Sequence, residues 1–415
     1  MCVILINKIK KYNQSKNNNN NNKASMVVWA VFFAGIIAFM GLGLVDPILP
    51  AISSQLGASQ TEATLLFSGY NAIMAVAMLI TGFINRKLGT KITLLAGIAL
   101  IAIFAVLCGL GHNVWEIIVL RCGWGLGNAI FIAVALTTII SFSKDKVKKS
   151  IIMYEAAIGL GLSIGPIIGG LLGGFSWRFP FFGVGFLMFI AFLLITILMP
   201  KHSPTEDQVQ ESVEHHKNTE TSILDPIHAM KHKHILIFGF FAFLYNFGFF
   251  TLLAYAPFVL NLSAEGIGLV FLCWGVFLAI NSVIIAPKIR NRLGSIKSLY
   301  LIVSLFAILL LIMGLFTSIQ WVVILATALS GILIGNINTL LTTVVMDGSP
   351  IDSSTTSSAY NFLRFIGSAI APVLAGFLGE TISPSTPFLV GFGFCILAII
   401  FLFFNIRRIK HLKQK

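Results

Sequence analysis

Apolar residues in this chain come in long unbroken stretches, neither alternating nor confined to one helical stripe. Stretches long enough to cross about 30 Å of hydrocarbon lie near 26–48, 62–84, 90–111, 114–141, 150–174, 178–199, 235–259, 264–287, 296–317, 319–346, 354–380 and 386–405. They predict twelve membrane-spanning helices in two groups of six. Strands are excluded, because the runs far exceed the roughly 9 to 11 residues of a barrel strand and do not alternate. A secretory leader is not expected either, since the first apolar run starts after residue 25, is too long and lacks a small-residue cleavage site.

The polar segments divide the chain further. Residues 1–25 contain the low-complexity run Asn17 to Asn22 and are expected to be a disordered cytoplasmic tail, with Met26 a candidate natural start. The first bundle is expected over 26–199, a polar linker over 200–234, the second bundle over 235–405 and a basic cytoplasmic tail over 406–415. Histidines 215, 216, 228, 232 and 234 leave a metal site open in the linker, but a solvated connector is the favoured reading.

Composition sharpens this picture. Of 415 residues, 57% are hydrophobic and 10% charged, with a mean hydropathy of +0.93. A soluble enzyme carries about 25% charge, so the solvent here is lipid. The formal net charge of +13 would suggest nucleic acid in a soluble chain. Here its placement gives a different answer. If the N-terminus is cytoplasmic, every Lys and Arg except Arg121, Arg178 and Arg364 falls in the tails, the linker or the loops after even-numbered spans. The positive-inside rule then puts both termini in the cytoplasm of a multi-pass cell-membrane protein, and no nucleic acid is needed. Five cysteines at no metal-ligand spacing are expected to be packing residues.

The halves repeat. Tyr154, Glu155, Gly161, Gly165, Pro166, Gly169, Gly170 and Gly173 return 206 residues later as Tyr360, Asn361, Gly367, Ala371, Pro372, Ala375, Gly376 and Gly379. Leu136-Thr137-Thr138 recurs as Leu341-Thr342-Thr343, and Ile84 and Leu88-Gly89 recur as Ile289 and Leu293-Gly294, both at offset 205. Parallel repeats of this kind place a substrate path between the halves, near the bilayer midplane.

Three motifs resemble the major facilitator superfamily and, within it, the twelve-span drug:proton antiporters. They are the loop from Gly82 to Lys91, the fourth-span motif Arg121-Cys-Gly-Trp-Gly125-Leu-Gly127, and the fifth-span motif Gly161 to Gly170 with its Gly165-Pro166. Asp46-Pro47-Ile-Leu-Pro50 resembles the end of the first span in the same group. One position departs: the resemblance implies an Asp where Arg86 stands between Gly82 and Gly89, so the outward-facing state must be latched differently or less firmly.

An intramembrane charge needs a partner or a task. Asp46 is either a water-exposed cap where Pro47 and Pro50 break the first span, or a carboxylate facing the cavity that exchanges a proton for a cationic substrate. Glu155 either reaches back to Lys144–Lys149 or carries a proton. Arg121 is read as a buried strut or ion pair, with Glu116 its local competitor, or as a group that adjusts a nearby acid, as the resemblance implies. Arg364 lies outside the shared motifs and is a strut or a substrate contact. In the fifth span, Gly161, Gly165, Gly169 and Gly173 form a smooth face beside the Pro166 bend, expected to pack against a helix of the other half and let it rock. Tyr70, Asn71, Asn128, Tyr245, Asn246, Asn336, Asn338 and Asn361 are expected to contribute to an aromatic and amide cavity.

The expected function is a secondary exporter of a small amphipathic compound, driven by protons through alternating access. A nutrient uptake symporter is the alternative, with a lipid flippase or a membrane sensor further behind. No phosphate-binding loop, catalytic triad or cofactor motif occurs, so an enzyme is not expected. The expected partners are a small-molecule substrate, protons and membrane lipid, with the chain a monomer.

Overall fold

The computed structural model describes residues 24–142, 147–200, 225–351 and 353–410. Twelve of its helices are long and apolar enough to cross a bilayer. In the first half they are α1 (Ala24–Leu56), α2 (Gln60–Leu88), α3 (Thr90–Leu110), α4 (Val114–Phe142), α5 (Val147–Phe175) and α6 (Phe179–Leu198). In the second they are α7 (Lys233–Val259), α8 (Ala264–Leu293), α9 (Ser295–Leu315), α10 (Gln320–Gly348), α11 (Ser353–Thr381) and α12 (Thr386–Lys410). No strand occurs among the described residues.

The helices run up and down. At one end of the bundle, here the tail side, the Lys91 ammonium at the start of α3 donates to the carbonyls of Thr196 in the last turn of α6 and of Met199 just past it. There too Arg290 of α8 pairs with Asp347 of α10 at 3.6 Å. At the opposite, far side, Arg178 donates to the Gly109 and Gly111 carbonyls at 2.8 and 2.6 Å, and Gln320 donates to Leu260 at 2.8 Å. The bonds from Lys91, Arg178 and Gln320 join the end of one helix to the start of another and satisfy carbonyls that helix geometry leaves without partners, while the ion pair ties two helix ends together.

Two helices depart from the simple rods that hydropathy predicts. The first span does not stop at Pro47 and Pro50. It is helical over 24–43, breaks at Leu44 and Val45, makes a 3₁₀ turn at Asp46–Ile48, and forms helix again over Leu49–Leu56. Each proline sits in the first turn of the segment it begins, where its missing N–H costs nothing. In α8, a π-helical turn at Asn281–Ile285 precedes Pro287, and the Ala286 N–H donates five residues back to the Asn281 carbonyl.

Each half has its own buried apolar cluster, around Trp124, Phe131 and Phe181 in the first and Phe238, Trp274 and Phe306 in the second. The halves join chiefly where α2 packs on α11 and α5 packs on α8. The duplication is visible in the backbone. Gly89, between α2 and α3, has φ 78° and ψ 159°, while Gly294, between α8 and α9, has φ 78° and ψ 154°. Each sits in a left-handed conformation that glycine alone adopts cheaply. Each carbonyl accepts a hydroxyl one turn on, from Thr93 at 2.8 Å and from Ser298 at 2.7 Å.

Candidate functional site

The buried charges of the first half converge where α1 is broken. Glycines bring the helices close: a side chain at Gly125 of α4 would meet the Tyr70 carbonyl of α2 at 2.5 Å. That approach carries Arg121, one turn earlier on α4, into the interior with no solvent exposure. Its Nε donates to the Leu66 carbonyl at 3.3 Å and its Nη1 to the Gly41 carbonyl at 3.5 Å. The guanidinium lies over the rings of Tyr70 and Trp124, each centroid 4.8 Å away. A permanently charged, planar group is thus held by carbonyl oxygens and ring faces, both suited to a weakly hydrated cation.

Asp46 is buried, 1% exposed, in the 3₁₀ turn, and its Oδ1 has no hydrogen-bond partner. It is therefore not the water-exposed cap that its prolines allow, because the chain returns to helix beyond it and covers it. Asp46 lies within electrostatic reach of Arg121, although no ion pair joins them. Glu116 does not compete for Arg121. It is exposed and engaged in its own helix start, accepting the His112 N–H at 2.9 Å. Asn128 completes the cluster by donating to the Tyr70 hydroxyl and to the Ala38 carbonyl.

Glu155 belongs to α5, but its side chain lies outside the described residues. Arg86 is exposed at the tail-side end of α2, and space is open around Gly82.

In the second half, Arg364 of α11, Asn338 of α10 and Tyr245 of α7 form a second polar cluster. Asn338 Oδ1 accepts the Tyr245 hydroxyl at 3.2 Å and Arg364 Nη2 at 3.3 Å. Asn336 instead bonds Asn281 Oδ1 at 3.1 Å, beside the π turn of α8. Asn246 is buried with neither amide atom paired, and Asn361 donates to Ser357 at 3.2 Å. The predicted cavity residues thus separate: Tyr70 and Asn128 join Arg121, Tyr245 joins Arg364, and Asn71 joins the halves.

The smooth face of α5 packs differently from expectation. Side chains at Gly161, Gly165 and Gly169 would strike the backbone of Ile36, Met40 and Leu44, and one at Gly173 would strike Ile48, all on α1 of the same half. The cross-half contact uses the neighbouring positions. Gly170 abuts the Ala264 carbonyl, and Pro166 and Ser163 receive Gly268 and Gly275 of α8. The glycine spacing signals close approach, and it is the other side of the helix that meets the other half.

Sequence reasoning missed the seal on the far side. The Glu380 carboxylate, near the end of α11, accepts the Thr61 hydroxyl at 2.7 Å and its N–H at 3.4 Å, reaching the amino end of α2. Further in, the Val373 N–H donates to Ser68 at 3.1 Å and Asn71 donates to the Ser368 carbonyl at 3.4 Å. Gly376 lets α11 lie directly against Gln60, Thr61 and Thr64. These cross-half hydrogen bonds lie in the far-side part of the two helices. In contrast, α4 and α10, pseudo-symmetric mates, make no substantial contact with each other among the described residues. Glu380 looks like an ordinary interfacial charge in sequence, and nothing in its spacing identifies Thr61 as its partner.

A profile of the Major Facilitator Superfamily matches residues 31–372. The chain is 45% identical over 386 residues to the multidrug efflux protein YfmO of Bacillus subtilis (strain 168), covering 93% of this chain and 94% of that one. It is 29% identical over 182 residues to the quinolone resistance protein NorA of Staphylococcus aureus, covering 43% of this chain and 47% of NorA. In three dimensions it resembles the human organic anion transporter MFSD10, with a TM-score of 0.67 at 16% identity, over 91% of this chain and 99% of that one. That likeness concerns the fold.

Proposed function

The chain belongs to the major facilitator superfamily of transporters, and on that premise we propose that it exports small amphipathic compounds across the cell membrane in exchange for protons. Both chain ends then face the cytoplasm, as the distribution of Lys and Arg favours. The export direction is supported by the 45% identical relative, whose name is that of a multidrug efflux protein.

The observation that carries the coupling is Asp46, a buried carboxyl with an unpartnered oxygen, set in the break of α1 within reach of the fixed charge of Arg121. Arg121 cannot shed its proton, so Asp46 is the member of the pair that can change charge. A proton on Asp46 leaves Arg121 held only by carbonyls and rings. Its departure leaves an acceptor and a donor near one another in a site with little water. Either state biases how α1 sits against α2 and α4, and α1 also touches α7 and α8 through the Asp46–Leu56 segment. Charge at one residue is thus linked to the far-side closure.

The test is efflux into inverted vesicles containing the protein. Accumulation of ethidium should require a pH gradient and vanish when the gradient is collapsed. Uptake that ignores the gradient would refute proton exchange, and movement in the opposite sense would favour the symport alternative.

A further inference from the structure

We propose that Arg364 is the anchor for an anionic group on the transported compound, so that an amphipathic compound bearing a carboxylate, anionic or zwitterionic, is bound more tightly than its neutral analogue. This rests on the transport reading and specifies the chemistry of its cavity.

Arg364 stands eleven residues after the start of α11 and seventeen before its end, or about 16 Å into the helix at 1.5 Å per residue. That is too deep for easy escape to the interface, and a charge there needs a purpose. Arg121 has one: it is fully buried and held by two carbonyls and two ring faces. Arg364 is only half-buried: its Nη2 donates to Asn338 at 3.3 Å, the Tyr360 hydroxyl lies beside it, and the Phe365 ring centroid is 5.8 Å away. The described carboxylates of the second bundle do not reach it. Glu265 lies at the start of α8, Asp347 faces Arg290 at the tail side, and Glu380 is bonded to Thr61 at the far side.

The neighbours of Arg364 leave donors facing a ligand. A guanidinium only donates, so the Asn338 oxygen must face it, and that oxygen also receives the Tyr245 hydroxyl. The Asn338 amide nitrogen is thereby turned away from the guanidinium and has no hydrogen-bond partner among the described residues. Tyr360, one turn before Arg364 on α11, lies within electrostatic reach of it. Beside the Tyr360 hydroxyl, which can accept or donate, the cluster offers N–H groups, and these suit a carboxylate that can take two parallel N–H donors from one arginine. Tyr245 is itself fixed from behind, stacked on Phe249 at 6.2 Å and meeting the edge of Phe306 at 6.0 Å, all three buried in the core of the second bundle. An amphipathic compound with an acidic group fits this donor set.

The test is binding to the full-length protein in nanodiscs, read by tryptophan fluorescence, with naphthalene-2-carboxylate and its neutral carboxamide as probes. The carboxylate should bind about tenfold or more tightly than the amide, the size expected for hydrogen bonds to a charged group. Arg364→Gln should abolish that difference, weakening the carboxylate far more than the amide, and Arg364→Lys should keep part of it. Asn338→Asp sets a carboxylate against the guanidinium and should also abolish the preference, an independent check should Arg364→Gln fold poorly. Equal binding of both probes, binding of neither, or a preference that survives Arg364→Gln would overturn the proposal. Ethidium efflux measured in parallel separates the two readings: its indifference to the pH gradient would count against proton-driven export, while the anion preference stands or falls on binding.

Discussion

Arg121 and Asp46 have opposite kinds of importance. Arg121 is structural first, because two carbonyls and two aromatic faces are arranged around it. Replacing it with Leu takes the donor from the Gly41 carbonyl and the second donor from the Leu66 carbonyl and strips both ring faces of their cation, which should cost roughly 2–4 kcal/mol and appear as a lower melting temperature in detergent. Asp46→Asn keeps the shape and removes the titrating oxygen. It should leave stability within about 1 kcal/mol of the parent while making efflux insensitive to the pH gradient in vesicles. Both residues were legible in the sequence, because an ionisable group inside an apolar run is conspicuous. Their environments were not. The prolines around Asp46 read as the end of a helix, and only the fold shows that the chain resumes and buries the carboxyl. Glu116 sits five residues before Arg121, so it and Arg121 do not share a face, and its own helix start claims it.

Glycines act at the scale of helices, and their consequences differ by neighbour. Gly169→Val would drive a branched side chain into the Leu44 backbone, which cannot retreat without moving α1. Its expected cost is about 3 kcal/mol or more, read as loss of the monodisperse peak in size-exclusion chromatography. Gly82→Ala points into open space and should change the melting temperature little. Gly89→Ala and Gly294→Ala, at φ 78°, should each cost about 1 kcal/mol or more. The twelve spans could be read from the sequence because a bilayer demands long continuous apolar helices. The partner of a small-residue face could not, since Gly161 to Gly170 mark two faces of one helix and hydropathy does not distinguish them. The π turn in α8 was hidden for a similar reason, as the span stays apolar on either side of Asn281 and Ser282 and hydropathy does not register a change of helical pitch.

For the whole molecule, the decisive asymmetry is between a far side joined by hydrogen bonds across α2 and α11 and the unpacked pair α4 and α10. The seal depends on Glu380 reaching the first turn of α2, where free N–H groups await an acceptor. Glu380→Ala combined with Ser68→Ala should loosen it. In a variant whose native cysteines are replaced, Thr64→Cys should then react several-fold faster with a membrane-impermeant maleimide added at the far side. An unchanged rate would show that glycine packing at Gly376 suffices without the hydrogen bonds. The overall architecture was readable from the duplication, whereas the choice of which mouth is shut is a tertiary property with no linear signature.

The matched turns at Gly89 and Gly294 carry an evolutionary consequence. Two connectors with the same dihedral angles and the same hydroxyl bond one turn later are interchangeable parts. A chimaera carrying residues 290–298 in place of 85–93 would retain the bend that sets one rod against the next, so either half could have served as the template from which the other was copied.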